Sequence, residues 1–510
     1  MKNLDPSIDK YLENLVHRTL KQVSSMCQWG VKKSYQYYIF ASLFYEFFDF
    51  KNIKPEDDGK QIFSRVRIQN CRSKANNAFL ELRQSFYTIQ AVAFKNETIT
   101  KEMIKYIAGI PSESVIDVFG TLKAVPNPIK SCSIKNMELN LEKLFVISRS
   151  HNVLPFQLED ANRPRTKENK ELDDVTDSTG VTVSLSTRLN NRVIDMRTPA
   201  NQAIFRIQSQ VCKYFRDYFN ERDFIEIHTP KLLGGSSEGG SNVFKLEYFG
   251  KPACLAQSPQ LFKQMMVMGD FDRVYEIGPV FRAENANTHR HLCEFTGLDM
   301  EMEIKQHYSE IMDMISGVFY DIFRKLKSEM SKELETINLY FPFDDFLLPE
   351  KPVILDFKTG VDLLKEAGIE QDVNDDLSTP IEKALGKIVK EKYKTDFYIL
   401  HKYPESARPF YTMPLKDEPG FTCSYDVFIR GEEIISGAQR IHVPDMLAER
   451  AKVKGIDPAT IKEYIDAFKY GAKPHGGFGV GLERVVMLYC DLKNVRRASA
   501  FPRDPQRLSP

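Results

Sequence analysis

Three acids, Asp299, Glu301 and Glu303, alternate with Leu298, Met300, Met302 and Ile304. An extended chain sends successive side chains to opposite faces, so one face is apolar core and the other a row of carboxylates. Such a row either belongs to an ion-paired edge hairpin or meets cations, metals or amines. The strand before it carries Arg282 and Glu284 on one face, and the loop between holds Asn285, Asn287, His289, Arg290 and His291. Two histidines two residues apart without a third ligand point to anion contact rather than a metal site. A second cluster is PHGGFGVGLERVVMLYCD at 474–491, where glycines line a strand that opens into a helix. Glycine within a strand marks close approach of backbone or ligand, and a flat ring could stack there under Arg484. Packing of helix on sheet explains the same glycines equally well. Asp426, Glu433, Ser436 and Arg440 fall on two strands joined near Gly431. The loop GGSSEGGS at 234–241 carries one acid, Glu238, and QSPQLFK at 257–263 combines amides with Lys263.

Other chemistries lack their residues. No G-x-x-x-x-G-K-[ST], G-x-G-x-x-G after a strand, H-E-x-x-H or G-x-S-x-G occurs, which excludes a P-loop NTPase and a zincin. The eight cysteines are scattered with no C-x-x-C, as expected of reduced thiols in the cytoplasm. Lys plus Arg number 70 and Asp plus Glu 70, so any basic face is local and balanced elsewhere. The N-terminus has acids early and no apolar core of a signal peptide. Residues 35–50, YQYYIFASLFYEFFDF, are the most apolar run, but it is shorter than the ~20 residues a membrane span needs and includes Glu46 and Asp49.

A chain of 510 residues suggests two to four domains at roughly 150 residues each. Residues 1–60 read as an N-terminal extension: a helix over 6–24, then the aromatic run, an apolar patch without an assigned place. Residues 1–50 hold six Lys/Arg against five Asp/Glu, so this is no polybasic arm. From 61 to 162 five short strands, at about 62–68, 78–83, 85–92, 114–122 and 144–150, suggest a small β-barrel such as an OB-fold, with Phe79 in its core. Residues 163–185 are a charged hinge. Residues 186–510 alternate strands and helices: an α+β unit, an antiparallel sheet flanked by helices, opening with a helix at 199–222.

Together these segments resemble the class II aminoacyl-tRNA synthetases. The first signature is the helix and strand ending at Pro230, the second Phe281-Arg282-Ala283-Glu284 through Phe295, the third Gly479-Val480-Gly481-Leu482-Glu483-Arg484. The barrel ahead of them matches subclass IIb. The wording SSEGGS, QSPQLFKQ, FRAENANTHRHLCEFTGLDMEME and ISGAQR is similar to the aspartyl-tRNA synthetases of eukaryotic or archaeal type. The connector before the third signature has no room for the large insertion of the bacterial and mitochondrial form, which implies the cytosolic one.

The resemblance implies a two-step reaction. L-aspartate attacks ATP to give aspartyl-adenylate and pyrophosphate, and the tRNA(Asp) 3′ end then takes the aspartate. By resemblance Arg282, Glu433 and Arg484 are catalytic. Arg282, Glu284, Arg290, His291, Leu292, Phe295, Glu433, Gly481, Leu482, Glu483 and Arg484 bind ATP, with Phe295 under the adenine. Asp426 and Glu433 hold Mg²⁺. Ser236, Glu238, Gln260, Lys263, Arg282, Asp299, Ser436 and Arg440 bind aspartate. Lys263 and Arg440 meet the side-chain carboxylate, and Asp299 and Glu238 meet the ammonium. Gln84 and Glu159 contact the anticodon. The first signature implies a homodimer through about 200–232. Sequence alone leaves open charging of tRNA(Asn) as well, and a catalytically inactive synthetase-like RNA-binding or scaffold protein.

Overall fold

The computed structural model describes residues 46–164, 182–234 and 243–510. They form two compact units that divide between Pro155 and Phe156.

The first unit is a closed five-stranded barrel of β1 (Gln61–Lys74), β2 (Asn77–Gln84), β3 (Tyr87–Phe94), β4 (Val115–Ala124) and β5 (Met137–Ser148). Its order is β1-β2-β3-β5-β4, with β3 and β5 parallel, the expected OB-fold. The fifth strand starts at Met137 rather than near Leu144. Met137, Leu139 and Leu141 point into the barrel and the polar residues between them point out. Phe79 is not in the core. On β2 the inward residues are Ala78, Leu80 and Leu82, so Phe79 shares the outer face with Glu81 and is 37% exposed.

The end of the aromatic run has a place after all. Phe50 is buried in the barrel core, Phe48 N–H donates to Phe63 O at 2.7 Å, and Ser64 Oγ donates to Phe48 O at 2.7 Å. The rest of the run, the 6–24 helix and most of the hinge lie outside the described residues.

The second unit is built on an eight-stranded sheet. Its strands, in chain order, are β6 (Ile225–Glu226), β10 (Arg273–Phe281), β11 (Glu294–Glu303), β12 (Val353–Asp356), β13 (Phe397–His401), β14 (Ser424–Ile429), β15 (Glu432–Gln439) and β16 (His475–Gly481). Between β6 and β10 in the chain lies a separate three-stranded sheet of β7 (Leu232–Leu233), β8 (Lys245–Tyr248) and β9 (Lys251–Leu255). The large sheet runs β12-β13-β14-β15-β16-β11-β10-β6. Its six central strands are antiparallel as expected, but the edge strands β6 and β12 are each parallel to their neighbour. Helix Pro199–Asn220 starts with Thr198 capping Asn201 N–H and Pro199 in the first turn, where a missing N–H costs nothing. It buries Ile204, Ile207, Val211 and Phe215.

β11 is central, between β10 and β16, so the carboxylate row is no edge hairpin. Asp299 and Glu301 are both buried, Glu301 completely. The glycines opposite them explain how: Gly477 pairs with Glu301 and Gly479 with Asp299. A Cβ on Gly477 would lie 2.0 Å from Met300 O and 2.4 Å from Glu301 Oε2, and one on Gly479 2.6 Å from Asp299 Oδ1. These two glycines make room for buried carboxylates and neighbouring backbone. At Gly481 the nearest atom is 3.5 Å away. Gly477→Ala should therefore cost about 3 kcal/mol through forced strand separation, and lower Tm by about 5 °C or more. Gly481→Ala should leave Tm nearly unchanged. Equal melting temperatures for the two variants would refute the packing account.

Candidate active site

A cavity of about 290 Å³ opens on the sheet over β10, β11, β15 and β16. One end is lined by Gln260, Asp299, Ser436 and Arg440. Beneath it four charges interlock. Lys263 Nζ lies 3.0 Å from Asp299 Oδ1, 2.8 Å from Phe478 O and 3.5 Å from Glu301 Oε2. Arg440 Nε and Nη2 donate to the two Glu301 oxygens at 2.9 and 3.2 Å, and Nη2 also donates to Gly477 O at 2.8 Å. Burial alone would raise the Glu301 carboxyl. The Arg440 and Lys263 charges outweigh it and hold that carboxyl below its ordinary range. Lys263 is expected at the cavity wall, but it sits one layer below, 1% exposed on helix Gln260–Met268 behind Asp299. The Gln260 amide nitrogen is buried without a protein partner, as a ligand-facing donor would be.

The other end is a flat slot. Gly481 lies between the Phe295 ring and Arg484, at 3.5 and 3.9 Å from where a Cβ would stand. Arg282 lies 5.4 Å from the centre of the Phe295 ring. Arg484 donates to Glu433 O at 3.0 Å and to Arg290 O at 3.3 Å. Glu284, Arg290, His291 and Leu292 also line the cavity. His291 Nδ1 is 2.5 Å from Thr288 Oγ1, and burial, then the Arg484 charge, pushes its pKa down. His289 instead faces Glu432, at 3.4 Å, so the two histidines do not converge. Leu482 is helix core and does not line the cavity.

Glu483 accepts from Thr296 N–H and is pushed up to about 7 by burial. The fold thus holds a proton that the unfolded chain loses near pH 4.5. Stability from this group falls as pH rises from about 4.5 through about 7. Glu483→Gln keeps an acceptor for Thr296 and removes the titration. Without ligand its Tm should match wild type near pH 5 and exceed it at pH 8. A gap that does not change with pH would refute the assignment.

One acid, Glu433, lines the side wall, with Asp426 and Glu382 close enough behind it to act on its charge. Glu433 is pushed up to about 8 by burial, then by Asp426; Glu382, which no sequence signal marked, is pushed to about 7 by burial. Asp426, expected as a metal ligand, gives both oxygens to Arg408 at 2.8 and 2.7 Å and does not line the cavity. Among the described residues no three metal-binding side chains converge.

The model for class II tRNA synthetases (D, K and N) matches residues 184–505, and one for an OB-fold nucleic acid binding domain matches 64–147. The chain is 51% identical to the cytoplasmic aspartate–tRNA ligase of Caenorhabditis elegans over 91% of this chain and 87% of that one. With the cytoplasmic human aspartate–tRNA ligase identity is 49%, over 88% of each. The chain belongs to the aspartate–tRNA ligase family of class II synthetases. Among solved structures it is similar to the aspartyl-tRNA synthetase from Entamoeba histolytica, with TM-score 0.84 and 43% identity over 92% of this chain and 94% of that one. It is more distantly similar to the asparaginyl-tRNA synthetase of Pyrococcus horikoshii complexed with asparaginyl-adenylate, at TM-score 0.79 and 28% identity, covering 91% and 100%.

Most of the expected synthetase site residues meet in one cavity. Ser236 and Glu238 lie outside the described residues. Of the two expected anticodon residues, Glu159 is exposed and Gln84 is half-buried. Gln84 Oε1 accepts from Phe50 N–H at 2.6 Å and its amide donates to Arg65 O at 3.3 Å, so the docked N-terminal segment occupies it. Glu159 is on helix Leu158–Ala161, in the second unit. The open aromatic surface of the synthetase barrel is elsewhere. Phe79 and Phe94, both exposed, meet edge to face at 6.3 Å, and Arg72 pairs opposite Phe79.

Proposed function

We infer that this synthetase activates L-aspartate with ATP, releasing pyrophosphate, and transfers the aspartate to the 3′ end of tRNA(Asp). The observation that carries this reading is the buried Lys263–Asp299 pair beside the cavity, continued by Arg440 and Glu301. The layer holds two acids and two cations, and a substrate with one ammonium and one side-chain carboxylate would add a balanced pair to it. The ammonium takes Asp299 in place of Lys263, and the side-chain carboxylate takes Arg440 with Lys263 behind it. Lysine would bring an ammonium against Arg440, and asparagine brings no charge to pair. The first step joins two anions, so it needs neutralisation and alignment more than a base. Arg282 and Arg484 supply the cations around the Phe295 slot.

Mg²⁺ takes one or two carboxylates together with phosphate oxygens. Glu433 on the side wall suits it. Glu433, which lines the cavity, would be the first ligand, and Asp426 would join only if Arg408 gave up one of its oxygens. When bound, the ion would neutralise phosphate charge.

Exposed Phe79 and Phe94 offer stacking faces for unpaired anticodon bases, with Arg72 near the backbone. The exposed Ile225, within the first signature, and Leu232, just after it, are apolar surface for a second copy, consistent with a homodimer. Relatives named cytoplasmic support that location.

ATP–pyrophosphate exchange with aspartate, asparagine and lysine tests the reading. Exchange with aspartate alone, followed by charging of tRNA(Asp), is expected. Exchange with none would make the chain an inactive synthetase-like protein. Charging of tRNA(Asn) at a similar rate would make it non-discriminating.

A further inference from the structure

Arg408 follows the short turn Glu405–Ala407 and lines the cavity, yet no motif marks it. It is buried, with its guanidinium 3.9 Å from the centre of the Tyr403 ring. Nη1 donates to Asp426 Oδ1 at 2.8 Å and to Ser436 Oγ at 2.6 Å, while Nη2 donates to Asp426 Oδ2 at 2.7 Å. Nε is buried and has no protein partner. Asp426 and Ser436 face each other across β14 and β15, so one fork ties both strands at this point.

A guanidinium only donates. The Ser436 oxygen therefore accepts from Arg408, and its own proton is left to give to another acceptor. Ser436 lines the amino-acid end of the cavity beside Asp299 and Arg440. We propose that Arg408 is a positioning residue that clamps Ser436 against Asp426 and fixes the serine hydroxyl as a donor to a carboxylate oxygen of the amino-acid substrate. This rests on the aspartate reading of the cavity. Without the fork, Ser436 would be free to turn its oxygen to the substrate, and an acceptor facing a carboxylate repels it.

The test is exchange kinetics at saturating Mg²⁺ for wild type, Ser436→Ala, Arg408→Lys, Arg408→Met and the double variant Arg408→Met/Ser436→Ala. Wild-type exchange with aspartate comes first. Its absence would overturn the function reading and this inference with it, whereas its presence isolates the clamp. Ser436→Ala should raise KM for aspartate about tenfold and change KM for ATP less than twofold. Arg408→Met should raise KM for aspartate at least as much, and adding Ser436→Ala should then change nothing further. If Arg408→Met does not fold, Arg408→Lys decides. It keeps the charge beside Asp426 but loses the fork, so KM for aspartate should still rise and Ser436→Ala should add little. Multiplying effects, or a change in KM for ATP with KM for aspartate intact, would overturn the proposal.

Discussion

Lys263→Met should leave aspartate-dependent exchange about a hundredfold to a thousandfold or more below wild type. The Lys263 ammonium is the cation nearest Asp299 and a second cation on Glu301, all within the buried layer. Removing one partner of a buried ion pair costs about 3–5 kcal/mol, because a carboxylate is left desolvated and unpaired. At 1.4 kcal/mol per tenfold, that is two to three and a half decades. Asp299 would respond by holding a proton, which removes the acceptor its ammonium ligand needs. Two effects are thus mixed, a weaker fold and a lost site, and a second variant separates them. Lys263→Met with Asp299→Asn restores charge balance to the layer. It should recover much of the lost Tm while exchange stays absent. Lys263→Glu would put three carboxylates in one buried cluster and should also abolish exchange with aspartate. A Lys263→Met protein within tenfold of wild type would refute the view that the ammonium exchanges partners with the substrate.

What could be read in advance follows the chain itself. The two hairpins and the glycine strand were legible because each carries its residues contiguously, so period-two alternation already groups them. Asp299 and Glu301 could be seen to share a face, and Ser436 and Arg440 to belong to one hairpin. What was not legible depends on partners far apart in sequence. Lys263 lies 36 residues from Asp299 and 215 from Phe478, and only the fold shows that it sits below the lining. Arg408 is a lone arginine in an irregular loop, with partners 18 and 28 residues on. Parity explains one miss: Phe79 has the register of Glu81, not of Leu80, so an apolar residue faces out. The partner of Gln84, Phe50, was not legible either, because it belongs to a segment whose docking the sequence pattern did not suggest.

Arg484→Lys should cut exchange by about a hundredfold or more, through ATP rather than aspartate. The side chain does two things at once. Its Nη1 and Nη2 donate to the carbonyls of Glu433 and Arg290, which hold the fork across the slot, and it still lines the cavity beside Phe295 and Arg282. A planar guanidinium has donors left over after those two bonds. An ammonium on a flexible stem cannot bridge both carbonyls and also face a phosphate, and it gives the adenine no flat partner. Losing one preorganised donor to developing charge typically costs 10²–10³ in rate. The buried carbonyls would be left partly unpaired, so a small drop in Tm should accompany the kinetic loss. KM for ATP should rise and kcat fall, with KM for aspartate changed less than threefold. The contrast with Lys263→Met is the informative part. If the cavity is one site with an amino-acid end and a nucleotide end, the two variants fail with different substrates. Arg484→Lys raising KM for aspartate as much as KM for ATP would mean that the two ends are not separate.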